Sequence, residues 1–357
     1  MDRLRSFFSA AGGGKGADAL LVTHLPNIAY LCGFTGSSGV LLVESSSATL
    51  FTDSRYTFQA REQVHDARTD IVAGSLLKAV AEALTRPRGI VRLGYSPTQL
   101  TVAQKAALDS LVGKHLRWVD ATNAVERLRS IKEHSELALM RDAAHLIDSV
   151  WSGALRKLKP GVSELDVAAE IEYAMKRRGA SGPSFETIVA SGARSAWAHA
   201  RPTSKLLRKN ELVVMDQGAI LRGYCSDMTR TVFLGRASSR IRSMYRAVLD
   251  SQEAAKAAIR AGVTAGSVDA AARDTLKKHR LDRFFTHSTG HGLGTEVHEM
   301  PRLGRGEETI LEKGMVITVE PGVYVEGLGG VRIEDDVVVT ASGCESLTNA
   351  NRELIEL

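Results

Sequence analysis

The sequence predicts an α/β domain followed by an α+β domain, and three observations support this prediction. The chain has 357 residues, a length typical of two domains. The first part alternates short apolar runs with helical patterns, as α/β folds do. The later part places long helical patterns around β-branched runs, which indicates an α+β fold with an antiparallel sheet. The pattern changes near residues 121–132, and we place the boundary so that the domains are residues 1–124 and 125–357.

The first residues carry a helical pattern and a glycine-rich stretch. Residues 3–11 have the spacing of a short amphipathic helix, which Gly12–Gly14 would end. The stretch GGGKG lacks a preceding strand and a Ser or Thr after Lys15, so it does not predict a phosphate-binding loop. A turn into the first strand is the prediction here.

Between residues 19 and 119 the sequence predicts alternating strands and helices. Asp53 and Ser54 stand where a strand meets a helix, and helix capping is the favoured interpretation of these residues. The alternative is that Arg55 or Tyr56 reaches the site of a neighbouring subunit. The predicted strands are ALLVT, VLLVE, ATLFT and IVRLGY, and the predicted helices are Tyr56–Gln63, Leu76–Leu84 and Thr101–Leu111.

The second domain begins with long helical patterns. Pro160-Gly161 ends the first of them, and Ser163 with Asp166 three residues later is typical of a helix start. Residues 181–205 are predicted as loop and strand, and they contain His199. The predicted helices of this domain are Ser135–Leu158, Leu165–Lys176, Ser238–Arg260 and Ser267–Lys278.

Metal-binding residue types recur between residues 210 and 340. Apolar and β-branched runs lead into Asp216, Glu320 and Glu334, which predicts buried strands that end on a carboxylate. A buried carboxylate is costly unless it is paired or holds a cation. Exposure to water explains any one of these acids equally well, but the whole set predicts a shared cation site. The set is Asp216, Asp227, His291, Glu320 and Glu334.

The spacing of the acids suggests how the chain brings them together. Asp216 and Asp227 are eleven residues apart with two glycines between them, which fits a hairpin with a short turn. Pro321-Gly322 predicts a turn that ends a strand at Glu320.

Arg332 is the basic residue nearest to this set. It lies two residues before Glu334, so both side chains face the same side of a strand. A buried arginine there would neutralise and orient a ligand such as Asp227. The alternative is a surface ion pair.

The set of side chains also predicts the kind of metal. Four carboxylates and one imidazole make a hard, oxygen-rich site, which is a poor match for structural zinc. Such a site suits Mn²⁺ or Mg²⁺, and the imidazole favours Mn²⁺, Co²⁺ or catalytic Zn²⁺. Four carboxylates balance two divalent cations, so we expect two ions, with Mn²⁺ preferred.

The stretches that carry these residues resemble a known family. HSTGHGLGTEVHEMP and TVEPGVY…GGVRIEDDV are similar to the methionine aminopeptidase and prolidase superfamily, in particular to its Xaa-Pro peptidase branch. NIAYLCGFTGSSGVLLV…LFTDSRYTFQA resembles the leading domain of that branch, so the resemblance covers essentially the whole chain. It implies a pita-bread fold for residues 125–357. For residues 1–124 it implies a creatinase/prolidase N-terminal-like domain that shapes the active-site mouth and builds an oligomer, expected to be a homodimer.

The resemblance implies a role for each acid in a dinuclear metallohydrolase. Asp216 would chelate one ion, and Asp227 and Glu334 would bridge both ions. His291 and Glu320 would complete the shell of the other. A hydroxide between the ions would attack the scissile carbonyl, and Glu320 would pass a proton to the leaving nitrogen.

Further residues match substrate positions of the Xaa-Pro branch. By resemblance, His199 and His298 would stabilise the tetrahedral oxyanion and hold the substrate carbonyl, and His287 would line the proline pocket. Each histidine taken alone is as well explained by a structural role. Arg302 stands where dipeptide-cleaving relatives hold the C-terminal carboxylate of the substrate, and a surface arginine is the alternative. Arg332 is also a candidate substrate-binding residue.

The resemblance implies metal-dependent hydrolysis of X-Pro dipeptides. A proline nitrogen carries no hydrogen and its ring fixes φ, so the site needs a pocket for the ring and no partner for an N–H. The nearest alternative is an aminopeptidase P that acts on longer peptides with proline second. Two alternatives from other classes are a metal-free binding protein on the same fold and a metal-independent C–N hydrolase of the creatinase type. The complete set of ligand types argues against both.

Composition argues against several other classes of protein. The net charge of +5 is modest and the basic residues are dispersed, so no nucleic-acid surface is predicted. No run of about 18 apolar residues predicts a membrane span, and the first residues lack the apolar core of a signal peptide. Three cysteines, Cys32, Cys225 and Cys344, form no metal-type pair and fit a reducing compartment, so we expect a cytoplasmic protein.

Overall fold

A computed structural model describes residues 16–85, 90–113 and 116–357. The chain divides into two compact units, Met1–Arg129 and Ser130–Leu357. The helix predicted over residues 3–11 and the turn predicted at Gly12–Gly14 lie outside the described residues. The domain boundary predicted after residue 124 stays a prediction.

The first unit is an α/β domain, as the alternation of its sequence predicts. Its strands are β1 (Ala19–Val22), β2 (Val40–Glu44), β3 (Ala48–Asp53), β4 (Arg68–Val72), β5 (Arg92–Tyr95) and β6 (Arg117–Asp120), and its helices are α1 (Leu25–Cys32), α2 (Thr57–Gln63), α3 (Leu76–Thr85), α4 (Val102–Val112) and α5 (Ala124–Ser130). Within the described residues these strands form one sheet in the order β4-β3-β2-β1-β5-β6. Strand β1 pairs with β2 in antiparallel and with β5 in parallel orientation.

Local capping explains where two elements of the first unit begin. Asp53 accepts a hydrogen bond from the backbone N–H of Arg55, which confirms that Asp53 caps the short 3₁₀ turn that follows β3. Thr101 and Gln104 cap α4 reciprocally, which fixes the start of that helix. Sequence reasoning missed β4 because most of its residues are exposed, so it carries no apolar pattern.

The second unit is an α+β domain, as its sequence predicts. Its helices are α6 (His134–Ala154), α7 (Glu164–Arg177), α8 (Ser239–Ala258) and α9 (Ala265–Lys278), and its strands are β7 (Gly182–Pro183), β8 (Ile188–Ser191), β9 (Glu211–Gln217), β10 (Ala219–Leu221), β11 (Tyr224–Cys225), β12 (Met228–Leu234), β13 (Gly290–Gly292), β14 (Glu299–Leu303), β15 (Val316–Val319), β16 (Gly322–Val325), β17 (Gly329–Arg332), β18 (Asp335–Val339), β19 (Cys344–Ser346) and β20 (Ile355–Glu356). Helix α7 begins where predicted, because Ser163 and Asp166 form a reciprocal cap.

Two main sheets, which are largely antiparallel, carry the second unit. In the part of the chain that the structure describes, their strand orders are β20-β12-β9-β8 and β14-β13-β15-β18-β19. Helices α8 and α9 bury apolar side chains together with β15, β17 and β18, while α6 and α7 pack against the sheet that contains β9 and β12. The central strands β9, β12, β15 and β18 are buried, so acids at the ends of these strands, such as Asp216, are enclosed by protein.

The connection between β9 and β12 differs from the short turn that the sequence predicts. Strands β10 and β11 form an additional small hairpin between them, and Asp227 lies just before β12 rather than opposite Asp216. Asp216 pairs with Thr229 instead. At Gly218, a Cβ atom would overlap the carbonyl oxygen of Ser226, so only glycine permits this close return of the chain.

The interface of α6 with the sheet should dominate the stability of the second unit. Ile147 on α6 is fully buried, and Ile147→Ala should lower the free energy of unfolding by about 2–5 kcal/mol through the cavity that it leaves. Leu165 on α7 is 50% exposed, so Leu165→Ala should change the free energy of unfolding by about 0.5 kcal/mol or less. Urea denaturation measures both, and equal losses would contradict this assignment of the core.

Candidate metal centre

Three of the predicted ligands lie close to one another. One ligand atom each from Asp227, His291 and Glu334 lies within 4.8 Å of the others, in the described part of the chain. Nε2 of His291 is 3.8 Å from Oδ2 of Asp227. These side chains come from separate elements, since Asp227 precedes β12, His291 lies in β13 and Glu334 joins β17 to β18.

The two remaining predicted ligands belong to the same cluster. Nε2 of His291 is 3.4 Å from Oε1 of Glu320, which follows β15 directly. Asp216 on β9 is joined to Glu334 by two side chains, because Arg332 donates to Asp216 and to Thr229, and the Thr229 hydroxyl donates to Glu334 at 2.6 Å. The structure therefore brings all five side chains, which we call the carboxylate cluster, to one place between the two sheets.

Glycines let the strand that carries His291 enter this cluster. A Cβ atom at Gly290 would overlap the carbonyl of Thr318, and one at Gly292 would overlap the carbonyl of Met300. Strand β13 therefore lies unusually close to both β15 and β14. Nδ1 of His291 is 3.0 Å from the carbonyl oxygen of Gly292, which accepts its N–H and leaves the lone pair of Nε2 facing the carboxylates.

Burial and crowding disfavour negative charge in the carboxylate cluster. Burial raises the pKa of Asp227 and of Glu334 well above the usual range, and the neighbouring acids raise them further. Burial also raises the pKa of Glu320 to about 8. Burial lowers the pKa of His291 to about 4, so its imidazole is neutral at pH 7, the form that binds metals.

Two carboxylate oxygens of the cluster have no hydrogen-bond donor. Oδ1 of Asp216 and Oδ1 of Asp227 are buried and unpartnered among the described residues. Such an oxygen is destabilising unless a proton or a cation satisfies it. Unpartnered oxygens, crowded acids and a neutral imidazole together form a donor set that fits divalent cations.

Asp336 is a buried acid beside the cluster that sequence reasoning missed. Its Oδ2 accepts a hydrogen bond from the backbone N–H of Asp227 at 2.9 Å. Burial raises the pKa of Asp336 well above its usual range. The signal was present in the stretch IEDDV, where Asp336 faces the same side as Glu334 in an apolar strand.

Arg332 orients Asp216, which confirms that it orients a predicted ligand, although its partner is Asp216 rather than the expected Asp227. Its Nη2 donates to Oδ2 of Asp216 at 2.7 Å, and its Nε donates to Oγ1 of Thr229 at 3.0 Å. The reason is the register of the sheet, because Asp216 lies opposite Thr229 whereas Asp227 lies outside the strand pair. The guanidinium is buried, which also excludes a surface ion pair. Its expected contact with substrate stays a prediction.

Tyr324 links Arg332 to a predicted substrate residue, and sequence reasoning missed it. Nη1 of Arg332 donates to the Tyr324 hydroxyl at 2.8 Å, and that hydroxyl is 2.9 Å from Nε2 of His287. The ring of Phe285 packs edge-on against His287 with 5.0 Å between centroids. Burial, with a further contribution from the charge of Arg332, lowers the pKa of His287 to about 4.

His199 and His298 lie with the same group of side chains. The ring centroid of His298 is 4.4 Å from that of His291. The pKa of His298 is lowered by burial and then by the neighbouring His199, which also lowers the pKa of His287. The ring contact places His298 beside the carboxylate cluster, and the charge interactions place His199 near both His298 and His287.

Arg302 lies in a cleft next to His287 rather than inside the cluster. It stands on β14, opposite His291 in the strand pairing, and its side chain is exposed. The cleft has a volume of about 480 Å³, and both Arg302 and His287 line it. Further cationic side chains line the same cleft, namely Arg273, Arg283 and Arg305.

The chain belongs to metallopeptidase family M24. The model of that family matches residues 138–341, and the model of the creatinase/prolidase N-terminal domain matches residues 1–131. The protein is therefore a metallopeptidase in which a creatinase-type N-terminal domain is followed along the chain by a pita-bread domain, which confirms the predicted fold class. In the part of the chain that the structure describes, every helix is too short or too polar to cross a membrane.

Several proteins are similar to this chain over nearly its full length. The Xaa-Pro dipeptidase of Pyrococcus horikoshii is 35% identical over 339 residues, which cover 95% of this chain and 94% of that protein. A solved structure of an Xaa-Pro dipeptidase from Bacillus anthracis has a TM-score of 0.94 at 39% identity and covers 100% of this chain and 98% of its own. The X-Pro aminopeptidase from Thermotoga maritima has a TM-score of 0.89 at 33% identity, with 96% and 98% covered.

The metal-free protein should lose stability as the pH rises from about 6.5 to about 8. The pKa of Glu320 is about 8 when folded and its ordinary value is 4.5, so the folded state binds the proton more tightly. Its free energy of unfolding therefore falls through this window. The buried histidines have lowered pKa values, and they reduce stability only as the pH falls below about 6.5.

Thermal unfolding in the presence of a chelator at the two pH values measures this change. Adding Mn²⁺ should reverse it, because the cation binds the deprotonated acids and stabilises the folded state. Glu320→Gln should flatten the slope of the chelated protein. A melting temperature of the chelated protein that rises toward pH 8 would contradict the crowding of acids described above.

Proposed function

We propose that the protein hydrolyses X-Pro peptide bonds, with a preference for dipeptides, at a centre that holds two divalent cations. The observation that carries this proposal is the convergence of two buried acids, Asp227 and Glu334, on a neutral imidazole, with Oδ1 of Asp227 left without a donor among the described residues. The names of the Xaa-Pro dipeptidase relatives support the choice of substrate. Manganese is the preferred ion because oxygen donors dominate and one imidazole is present, and Co²⁺ or Zn²⁺ are the other candidates.

The carboxylate cluster would hold the cations. Asp216 would bind one of them, Asp227 and Glu334 would be shared by both, and the other ligands would be His291 and Glu320. When bound, such cations supply Lewis acidity, which polarises a carbonyl and makes water a nucleophile near neutral pH. Glu320 would carry the proton to the leaving nitrogen, and its raised pKa near 8 suits a group that both takes and gives a proton.

The histidines beside the cluster would bind the reacting carbonyl. Burial lowers the pKa of His298, so its ring is neutral at pH 7 and donates through one nitrogen. His298 and His199 would place N–H groups where the oxyanion develops, and such a donor contributes about 10²–10³-fold to kcat. His298 packs on His291, which places it at the edge of the carboxylate cluster.

The rest of the site would select proline and a short peptide. His287 and Phe285 form an aromatic wall, and Tyr324 holds His287 in place, so the wall suits a ring that lacks an N–H. Arg302 lines the adjoining cleft, where it would pair with a free carboxylate one residue beyond the scissile bond. Arg332 would affect substrate binding chiefly by holding Tyr324 and Asp216 in place.

The alternative is removal of the first residue from longer X-Pro peptides. The solved structure named as an X-Pro aminopeptidase supports it, and so does the volume of about 480 Å³ of the cleft that Arg302 lines. We also infer a cytoplasmic homodimer in which the first domain shapes the mouth of the site. The cysteines Cys32, Cys225 and Cys344 are free thiols, which supports a reducing compartment.

The substrate preference should appear in a direct comparison of two peptides. With Mn²⁺ present, kcat/KM for Ala-Pro should exceed that for Ala-Pro-Ala at least about tenfold, since only the dipeptide places its carboxylate at Arg302. A chelator should abolish both activities and added Mn²⁺ should restore them. Preference for the tripeptide would establish the aminopeptidase alternative, and activity that survives chelation would remove the metal centre from the reaction.

Arg302 should matter for dipeptides in particular. Arg302→Ala should raise KM for Ala-Pro about 10- to 100-fold with little change in kcat, because charge-assisted hydrogen bonds contribute about 1.5–3 kcal/mol. The matched control is Arg305→Ala, which changes another arginine of the same cleft and should leave KM within about twofold. Steady-state kinetics at saturating Mn²⁺ measure both, and an unchanged KM in the first variant would exclude Arg302 from the site.

A further inference from the structure

A buried carboxylate outside the carboxylate cluster holds both ends of the segment that carries His199. Glu164 is the first residue of α7, and its side chain is fully buried. Its Oε1 accepts hydrogen bonds from the backbone N–H and the hydroxyl of Ser191, at 2.9 and 2.8 Å. Its Oε2 accepts from the backbone N–H and the hydroxyl of Thr203, at 3.1 and 2.8 Å. The Glu164 side chain therefore holds the two ends of residues 191–203 together.

Arg194 completes this anchoring from within the segment. Its Nε donates to Oε2 of Glu164 at 3.1 Å, and its Nη2 donates to the carbonyl oxygen of Arg201 at 2.5 Å. The backbone N–H groups and the guanidinium cannot accept hydrogen bonds. A carboxylate at position 164 can therefore satisfy all five donors, whereas an amide would turn its own N–H groups toward some of them.

The middle of the segment is tied to the strand that carries Arg332. Nη1 of Arg332 donates to the carbonyl oxygen of Ala198 at 2.9 Å, and the N–H of Gly330 donates to the hydroxyl of Ser195 at 2.9 Å. Ala198 directly precedes His199. The backbone that presents His199 is therefore fixed at its ends by Glu164 and at its middle by β17.

We propose that Glu164 is a positioning residue for His199, and that it affects peptide hydrolysis by setting where that histidine stands beside the carboxylate cluster. The inference rests on the proposed function, in which His199 acts on the reacting carbonyl. It assigns a role in hydrolysis to Glu164, a helix residue that is remote in sequence from the carboxylate cluster. A loop that presents a reacting group needs such support, because small displacements of that group are costly in rate.

Glu164→Gln should disturb the position of His199 without changing the binding of metal. We expect kcat for Ala-Pro to fall about 10- to 100-fold, with the metal content per chain unchanged by elemental analysis. Hydrogen exchange of residues 192–202, measured by mass spectrometry, should become faster. Glu164→Asp keeps a carboxylate with a shorter reach, and it should recover part of the lost kcat.

The matched control is Asp166→Asn on the same first turn of α7. Oδ2 of Asp166 accepts a hydrogen bond from the Ser163 hydroxyl at 2.6 Å as part of the helix cap. This variant weakens the start of the helix and should leave both kcat and the exchange of residues 192–202 unchanged. An equal fall of kcat in this control would show that helix stability is the cause and would overturn the inference.

A double variant tests whether Glu164 acts through His199. In a His199→Ala background, Glu164→Gln should change kcat less than about twofold, because the group that it places is gone. The inference would be overturned if Glu164→Gln lowered kcat by the same factor with and without His199. It would also be overturned if the fall in kcat matched a loss of bound metal. Wild-type kcat in His199→Ala alone would instead remove the proposed function of that histidine. Should Glu164→Gln not fold, Thr203→Val removes one of the five donors and enters the same cycle.

Discussion

The structure of the second domain depends on the burial of several carboxylates close to one another. An uncompensated buried charge costs several kcal/mol, and the repulsion between neighbouring carboxylates adds to that cost. Asp216 is compensated in part by the guanidinium of Arg332, and the backbone N–H of Asp227 is held by the carboxyl of Asp336. Among the described residues, one oxygen each of Asp216 and Asp227 nevertheless has no hydrogen-bond donor. The protein therefore assembles a site whose most stable state contains cations, which links metal binding to folding.

Buried ionic groups around this site hold the chain segments that present its side chains. Arg230 donates to the carbonyl oxygen of Glu334 and forms a buried ion pair with Asp335 at 2.7 Å, so Glu334 is held through its own carbonyl and through the residue that follows it. Glu164 does the same for the segment of His199. Each of these groups connects elements that are far apart in sequence, and each is fully used by protein partners. This arrangement lets loops and strand ends carry the chemistry while the surrounding framework sets their geometry.

Several parts of the fold were predictable because their signals are local. The reciprocal cap of Ser163 and Asp166 fixes the start of α7 within a few residues of sequence, and the apolar period of α6 follows from its one buried face. The short turn predicted between Asp216 and Asp227 was wrong because the extra hairpin of β10 and β11 packs against β7, a contact that spacing alone does not reveal. Strand β4 was missed for a different reason, because most of its side chains are exposed and so carry no apolar pattern, and among the described residues it pairs with β3.

By itself the sequence determined the domain classes, and it identified the acids and the imidazole that the structure brings together. It could do so because a carboxylate at the end of a buried apolar strand is unfavourable unless it is paired, for example with a cation, and this pattern is visible in a few residues of sequence. Only the tertiary structure decided that Arg332 pairs with Asp216, that Tyr324 holds His287 and that Glu164 supports the segment of His199. Those contacts join residues brought together by sheet register and helix packing, and their sequence separations leave no periodic pattern in the chain.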